Sequence, residues 1–266
     1  MLWLVPGTLA AQEEAFDTTR YSNGMVRATG EMVDGQPHGR WGFFDRDGNL
    51  RSTKEYEYGH LLKKVLYHPS GVKSSQVHYL RTKQPRAKEP IKDGRMTKWN
   101  KRGKVILQVT YVNNQMHGPV FEWHDNLRQK LEANYDNGTP VGDWTEWFSN
   151  GKLRSQGTFD AEGNRIGFWT FNGISGLPLL EMDFANVEAN EGIWTTYYHR
   201  NGRKKKEGLF GYQGKNTLSA TTRYILWKSQ RYSSQGKWSY WDQNGKLIRE
   251  LFYDRGKVIA VEEFTR

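Results

Sequence analysis

Residues 142–167 read GDWTEWFSNGKLRSQGTFDAEGNRIG. An aromatic strand pattern, Trp144, Trp147 and Phe148, breaks at Asn150-Gly151, and a second strand pattern runs from Leu153 to Phe159. Period-two alternation marks half-buried strands, and Asn-Gly between two such runs marks a hairpin turn. The dipeptide predicts a type I′ turn, whose two central residues both need φ > 0. A single hairpin is marginal in water, so its apolar face must be covered by other parts of the chain.

Those parts are copies of the same pattern. With Trp144 as position zero, the frame starts again at Asp17, Trp41, Lys64, Met96, Val120, Trp169, Trp194 and Trp238. Successive starts are 24, 23, 32, 24, 24, 25, 25 and 44 residues apart. Seven of the nine frames carry glycine at position seven: Gly24, Gly48, Gly71, Gly103, Gly151, Gly176 and Gly245. The frame at Val120 has Leu127 there, and the frame at Trp194 has Gly202 one residue late. Eight residues beyond the turn stand Met32, Tyr56, Tyr79, Tyr111, Tyr135, Phe159, Phe184, Phe210 and Tyr253. Eight of these nine are aromatic in a chain that is 14% aromatic, so the repeat, not the composition, sets them.

The predicted fold is all-β: an elongated, solenoid-type array of about nine antiparallel hairpin repeats, each covering its neighbour's ring face. Residues 12–80 hold repeats one to three. Residues 81–93, RTKQPRAKEPIKD, are a charged loop, because two prolines exclude an interior strand. That loop either separates two arms or leaves one continuous sheet. Residues 94–266 hold repeats four to nine, with an irregular insertion at 211–235 where Thr222 to Trp227 reads as the remnant of a tenth.

Composition agrees with an array of aromatic faces: 11 Trp and 14 Tyr accompany a hydrophobic fraction of only 36%. There is no cysteine, which excludes disulfides and thiolate metal sites. No apolar run reaches the roughly 18 residues of a membrane-spanning helix. Residues 1–11, with their short apolar run and the small pair Ala10-Ala11, read as a signal-peptide remnant without its basic start. That reading implies a secreted or periplasmic protein; without it the protein is cytoplasmic.

Candidate chemistry is sparse. His38 and His117 fall at matched repeat positions, which accounts for both without a metal or acid–base pair. Asp45-Arg-Asp47-Gly48-Asn49 and Asp160-Ala-Glu162-Gly163-Asn164 resemble calcium loops but lack the later ligands, and read as Asx turns. There is no phosphate loop, dinucleotide fingerprint or nucleophile elbow, so the reading is a non-enzyme without cofactor, metal or small-molecule substrate. Net charge is +10, and the densest basic run is Arg200, Arg203, Lys204, Lys205 and Lys206. Such a run beside aromatic strands suits an anionic partner, lipid headgroup or nucleic acid. It equally suits protection of a sheet edge against aggregation.

The segments GDWTEWFSNGKLRSQGTF, GRWGFFDRDGNLRSTKEY and GKWSYWDQNGKLIRELFY resemble the MORN repeat. They are closest to its bacterial variant, found in YwqK-type antitoxins of toxin–antitoxin pairs. The resemblance runs from about Asp17 onward and departs at Asn114 and at Asn126-Leu127. It carries no catalytic residues. It implies a scaffold that binds another protein, a toxin-like or envelope partner.

Overall fold

The computed structural model describes residues 14–81, 90–185, 192–212 and 232–264. The chain divides into two compact units, residues 1–115 and 116–266. In the first unit β1 (Glu14–Arg20), β2 (Val26–Val33), β3 (Gln36–Phe44) and β4 (Leu50–Glu57) lead to β5 (His60–Tyr67), β6 (Lys73–His78), β7 (Gly94–Trp99) and β8 (Val105–Val112). The two-residue β9 (Gln115–Met116) stands where one unit ends and the next begins. In the second unit β10 (Gly118–Trp123), β11 (Gln129–Asp136), β12 (Thr139–Trp147), β13 (Leu153–Phe159) and β14 (Arg165–Asn172) come first. They are followed by β15 (Pro178–Asp183), β16 (Ile193–Tyr198), β17 (Lys204–Tyr212), β18 (Tyr232–Trp241), β19 (Leu247–Asp254) and β20 (Lys257–Glu263).

Within each unit, strands adjacent in sequence pair antiparallel. Each unit is therefore a meander of hairpins, the all-β repeat array that the frame predicts. Among the described residues every regular element is a strand.

The turn chemistry differs from expectation in kind. At the Asn150-Gly151 turn, Phe148 N–H donates to Lys152 C=O at 2.8 Å, and Gly151 N–H to Phe148 C=O at 2.8 Å. Gly151 has φ of 86° while Asn150 stays at negative φ, and the ladder slips between Glu146 and Trp147. This is a type I turn closed by a left-handed glycine in a bulge, not type I′. Paired positive φ occurs instead at the two-residue turns joining successive repeats: Asp34-Gly35, Tyr58-Gly59, Asn137-Gly138 and Arg255-Gly256. Asn113-Asn114 adopts the same pair, so Asn114 performs the closing glycine's task.

Three tryptophans share one arrangement that sets the spacing of the strands. Trp41 lies over Gly30, Trp169 over Gly157 and Trp238 over Gly208. A Cβ built on these glycines would stand 2.4, 2.1 and 2.3 Å from the indole, so only hydrogen fits. At each glycine the pairing register shifts, between Thr29 and Glu31, Gln156 and Thr158, and Gly208 and Leu209. The carbonyl just past the glycine accepts the indole N–H: Glu31 at 2.9 Å, Thr158 at 3.1 Å and Leu209 at 3.1 Å. A buried indole thus finds its partner without a polar side chain. Trp169 is 1% exposed and forms a buried cluster with Met182, Phe184 and Ile193. Phe159 stands edge-on between Trp144 at 5.6 Å and Trp169 at 4.9 Å, and Phe210 meets Trp238 at 4.8 Å.

The opposite rim is tied turn to turn. At position four of a frame, Tyr21 Oη donates to Phe44 C=O, and the Nε2 of His68, His124 and His199 donates to Trp99, Trp147 and Trp241 C=O. At position six, Asn23, Asn126, Asn150 and Asn201 donate Nδ2 to Arg46, Ser149, Ile174 and Gln243 C=O. These distances run from 2.7 to 3.1 Å.

Those ties fix two frames. The frame assigned to Trp194 begins at Thr195, which is 0% exposed while Trp194 is 45% exposed. Gly202 then falls on position seven and His199 on position four. β17 pairs directly with β18, and His199 reaches Trp241 directly, so no further hairpin intervenes in the ladder. The Thr222–Trp227 remnant lies outside the described residues, as does the signal-peptide reading of residues 1–11. At the 81–93 loop, β6 and β7 pair across the gap and Tyr79 bridges Lys92. β6 and β7 therefore belong to one sheet on either side of that segment.

Leu127 occupies the turn-glycine position with φ of 66°. A side chain there costs roughly 1–2 kcal/mol, against which glycine adds about 0.4–1 kcal/mol of unfolded-state entropy. Leu127→Gly should therefore raise stability by about 0.5 kcal/mol, because the leucine buries little. Gly151→Val, the opposite change at φ of 86°, should lower it by more than about 1 kcal/mol. Urea midpoints that move in the same direction for both variants would refute the turn assignment.

Candidate functional site

Alternation gives each unit a ring face, holding the frame tryptophans, and a second face. In the second unit the second face carries one polar row running strand to strand. Glu132, Thr145, Gln156, Thr170, Glu181, Thr196, Glu207, Ser239, Glu250 and Glu262 are successive cross-strand partners. Strands leaving the frame start contribute hydroxyls, and returning strands contribute carboxylates or an amide. Ser239 Oγ donates to Glu250 Oε1 at 2.9 Å, Thr196 Oγ1 to Glu207 Oε2 at 3.5 Å, and Tyr198 Oη to Glu181. Burial and that carboxylate raise the Tyr198 phenol well above its ordinary pKa.

The row's charges are balanced unevenly. Lys204 pairs with Glu207 at 2.7 Å and Lys237 with Glu250 at 3.1 Å. Hydrogen bonds from Lys237 and Ser239 hold the Glu250 carboxyl below the usual range. The cations of β11 and β13 pair elsewhere, Lys130 with Glu122 at 2.6 Å and Arg154 with Glu146 at 3.9 Å. Glu132 accepts the Gln129 amide at 2.9 Å and Asp143 accepts the Thr158 hydroxyl at 3.2 Å, and among the described residues neither forms an ion pair.

These carboxylates line a groove of about 560 Å³ across β11–β14, with Asn134, Thr145, Gln156, Gly157, Thr158, Phe168 and Thr170. Phe168 is 57% exposed, because the bulge at Gly167-Phe168 that lets Trp169 settle over Gly157 turns its neighbour outward. The groove therefore offers hydrogen-bonding side chains, two negative charges and one open ring. Among the described residues no group of three or more His, Asp or Glu is placed to hold a metal ion. His38 Nδ1 accepts Tyr58 N–H at 3.4 Å, and His117 meets Asp136 at 3.1 Å. Asp160 accepts Glu162 and Asn164 N–H at 3.0 and 2.7 Å, and Asp45 caps its own turn likewise.

The basic run at the β16–β17 turn is divided. Arg203 is tied to Asn244 C=O, Lys204 is paired with Glu207, and Lys206 lies on the ring face over Tyr197 at 4.5 Å and Trp238 at 5.2 Å. Burial, then Lys205, pushes the Lys206 ammonium pKa down. Arg200 and Lys205 alone line a recess of about 470 Å³ with Tyr198, His199, Asn201 and Gln243. The five side chains of the run thus have different surroundings. The groove residues were overlooked in the sequence, although hydroxyls at position one and Glu or Gln at position twelve recur with the repeat.

The hairpin at the centre of the groove, β12–β13, also carries a family signature. The family pattern described as MORN repeat variant matches residues 140–161 and again 234–255, the β18–β19 hairpin. No curated protein matches the chain. Among solved structures it is similar, at 11% identity, to chains in the crystal structures of TcdB2-TccC3-Cdc42 and TcdB2-TccC3. The matches cover 96% and 94% of this chain but 15% and 18% of those chains, with TM-scores of 0.22 and 0.18. This chain thus spans less than a fifth of those chains, and the fold rests on the repeat itself.

The divided basic run gives unequal mutant costs. Arg203→Ala removes a turn-to-turn tie and should cost about 0.5–1.5 kcal/mol, the worth of one hydrogen bond. Lys205→Ala should stay within about 0.5 kcal/mol. Chemical denaturation of the two variants checks this; equal losses would put both side chains in one structural network.

Proposed function

We propose that the protein is a non-enzymatic scaffold that captures another protein by laying a positively charged, extended segment of it in the β11–β14 groove. The observation that carries this reading is the pair Glu132 and Asp143, two carboxylates without ion-pair partners among the described residues, beside the open ring of Phe168. A lysine or arginine of the partner would complete both, since its cation pairs with a carboxylate and stacks on the ring face. The hydroxyl, carboxylate and amide positions on successive strands offer an extended chain hydrogen-bonding partners along its length. The chain as a whole carries +10, so this groove is a local negative feature on a basic protein. A toxin held by its basic surface is the instance that the MORN-variant resemblance suggests.

A synthetic peptide of alternating lysine and threonine is the probe for this groove. Binding should weaken at least tenfold in Asp143→Lys, and in Phe168→Ala by a smaller factor. Thermal unfolding of both variants should match wild type, because both side chains are exposed. Equal affinity of wild type and Asp143→Lys would overturn the assignment.

A further inference from the structure

The ring face of the first unit contains a break in its own rule. Along its ladder the cross-strand partners run Trp41, Lys54, Lys64 and Val77. Lys64 stands at position zero of its frame, where Trp, Met, Val or Thr is found in the interior frames of the described chain. Its direct partner across β4–β5 is a second lysine. Like charges placed opposite each other destabilise a sheet. One residue further along the same two strands, Glu55 and Lys63 face each other and pair at 3.0 Å. Complementary charges are thus used on the second face of these strands and not on the ring face.

Neither lysine has a carboxylate partner among the described residues; the ion pairs of this unit are Arg51–Asp45, Lys63–Glu55 and Arg81–Glu57. Lys54 is half-buried, with Nζ 4.5 Å from the centre of the Phe43 ring. Desolvation, then the charge of Lys64, lowers its pKa. Ser52, buried and two residues from Lys54 on the same strand face, adds a hydroxyl beside the pair. The Phe43 ring offsets part of the charge of Lys54 but supplies no anion, and a local rule broken in this way points to a ligand that does.

We propose that Lys54 and Lys64 form a binding site for a phosphate monoester. Two lysines at directly paired positions of adjacent strands match a dianion, which can neutralise both, whereas a single carboxylate would leave one uncompensated. Lysine meets phosphate as a compact point charge, and the flanking Trp41 and Phe43 rings thin the water around it. The site is separate from the groove of the second unit and does not rest on that reading.

The test is thermal unfolding of the full chain in inorganic phosphate against chloride at equal ionic strength. At a tenfold excess over Kd, phosphate should raise Tm by about 3 °C, following mass action and the size scaling of Tm. Lys54→Met with Lys64→Met should abolish that rise and, without phosphate, melt above wild type, since repulsion is replaced by apolar ladder contact. The double arginine variant should keep the phosphate response. Should the methionine pair fail to fold, Lys54→Gln alone must show the same two changes in smaller measure. A methionine pair that melts below wild type, or that responds to phosphate as wild type does, would overturn the site. Vesicles of phosphatidylcholine with phosphatidic acid identify the source of the ester. Capture competed by phosphate would assign a lipid headgroup, absence of capture a soluble ester, and capture insensitive to phosphate would count against the site.

Discussion

An indole ring needs a flat floor and a hydrogen-bond acceptor if it is to be buried between two strands. A side chain under it would hold it off, and a polar partner beside it would need space that a thin sheet lacks. Here the floor is glycine and the acceptor is the adjacent carbonyl, released from the ladder by a bulge. Gly30 with Trp41, Gly157 with Trp169 and Gly208 with Trp238 repeat this arrangement in both units. Phe159 and Phe210 then pack edge-on to these indoles and carry the apolar contact onward. With so little aliphatic core, the ladder of rings is what each hairpin gains from its neighbour.

The second face follows from the first. The bulge that frees the Thr158 carbonyl also turns Phe168 outward at the edge of the groove. Because the ring face takes every second position, the polar row inherits strict alternation and a fixed register, so hydroxyls and carboxylates face each other at a constant spacing. Glu207 and Glu250 receive lysines, whereas Glu132 and Asp143 form no ion pair among the described residues. In the first unit the ring face itself departs from the rule at Lys54 and Lys64. The two proposed sites thus differ: one lies on the face opposite the rings, the other on the ring face itself.

Much of the fold was legible in the sequence because its signals are local and repeated. Asn-Gly dipeptides and the aromatic fifteen places from each frame start located the hairpins. The turn type was not legible, since Asn-Gly serves both a type I′ turn and a type I turn with a glycine bulge. Trp194 misled the frame because tryptophan was taken as its anchor, while the buried position holds Thr195. Gly30, Gly157 and Gly208 were the missed signal: glycine inside a strand pattern marks a bulge or a close approach. The groove required register, which no single strand reveals, and the basic run looked continuous because sequence does not show that Lys206 turns to the rings while Lys204 turns to Glu207.

The most direct test of the indole-on-glycine account is a double-mutant cycle on Gly157→Ala and Trp169→Ala, followed by urea unfolding. Overpacking of this kind costs about 1–3 kcal/mol, so Gly157→Ala should destabilise the wild-type protein by at least that much. In the Trp169→Ala background the same change should be close to neutral, since the indole that occupied the space is gone. The two effects should therefore differ by more than about 1 kcal/mol, within the range measured for residues in contact. A Gly157→Ala cost that is equal in both backgrounds would contradict the account, because it would trace the glycine to backbone freedom and not to the ring above it.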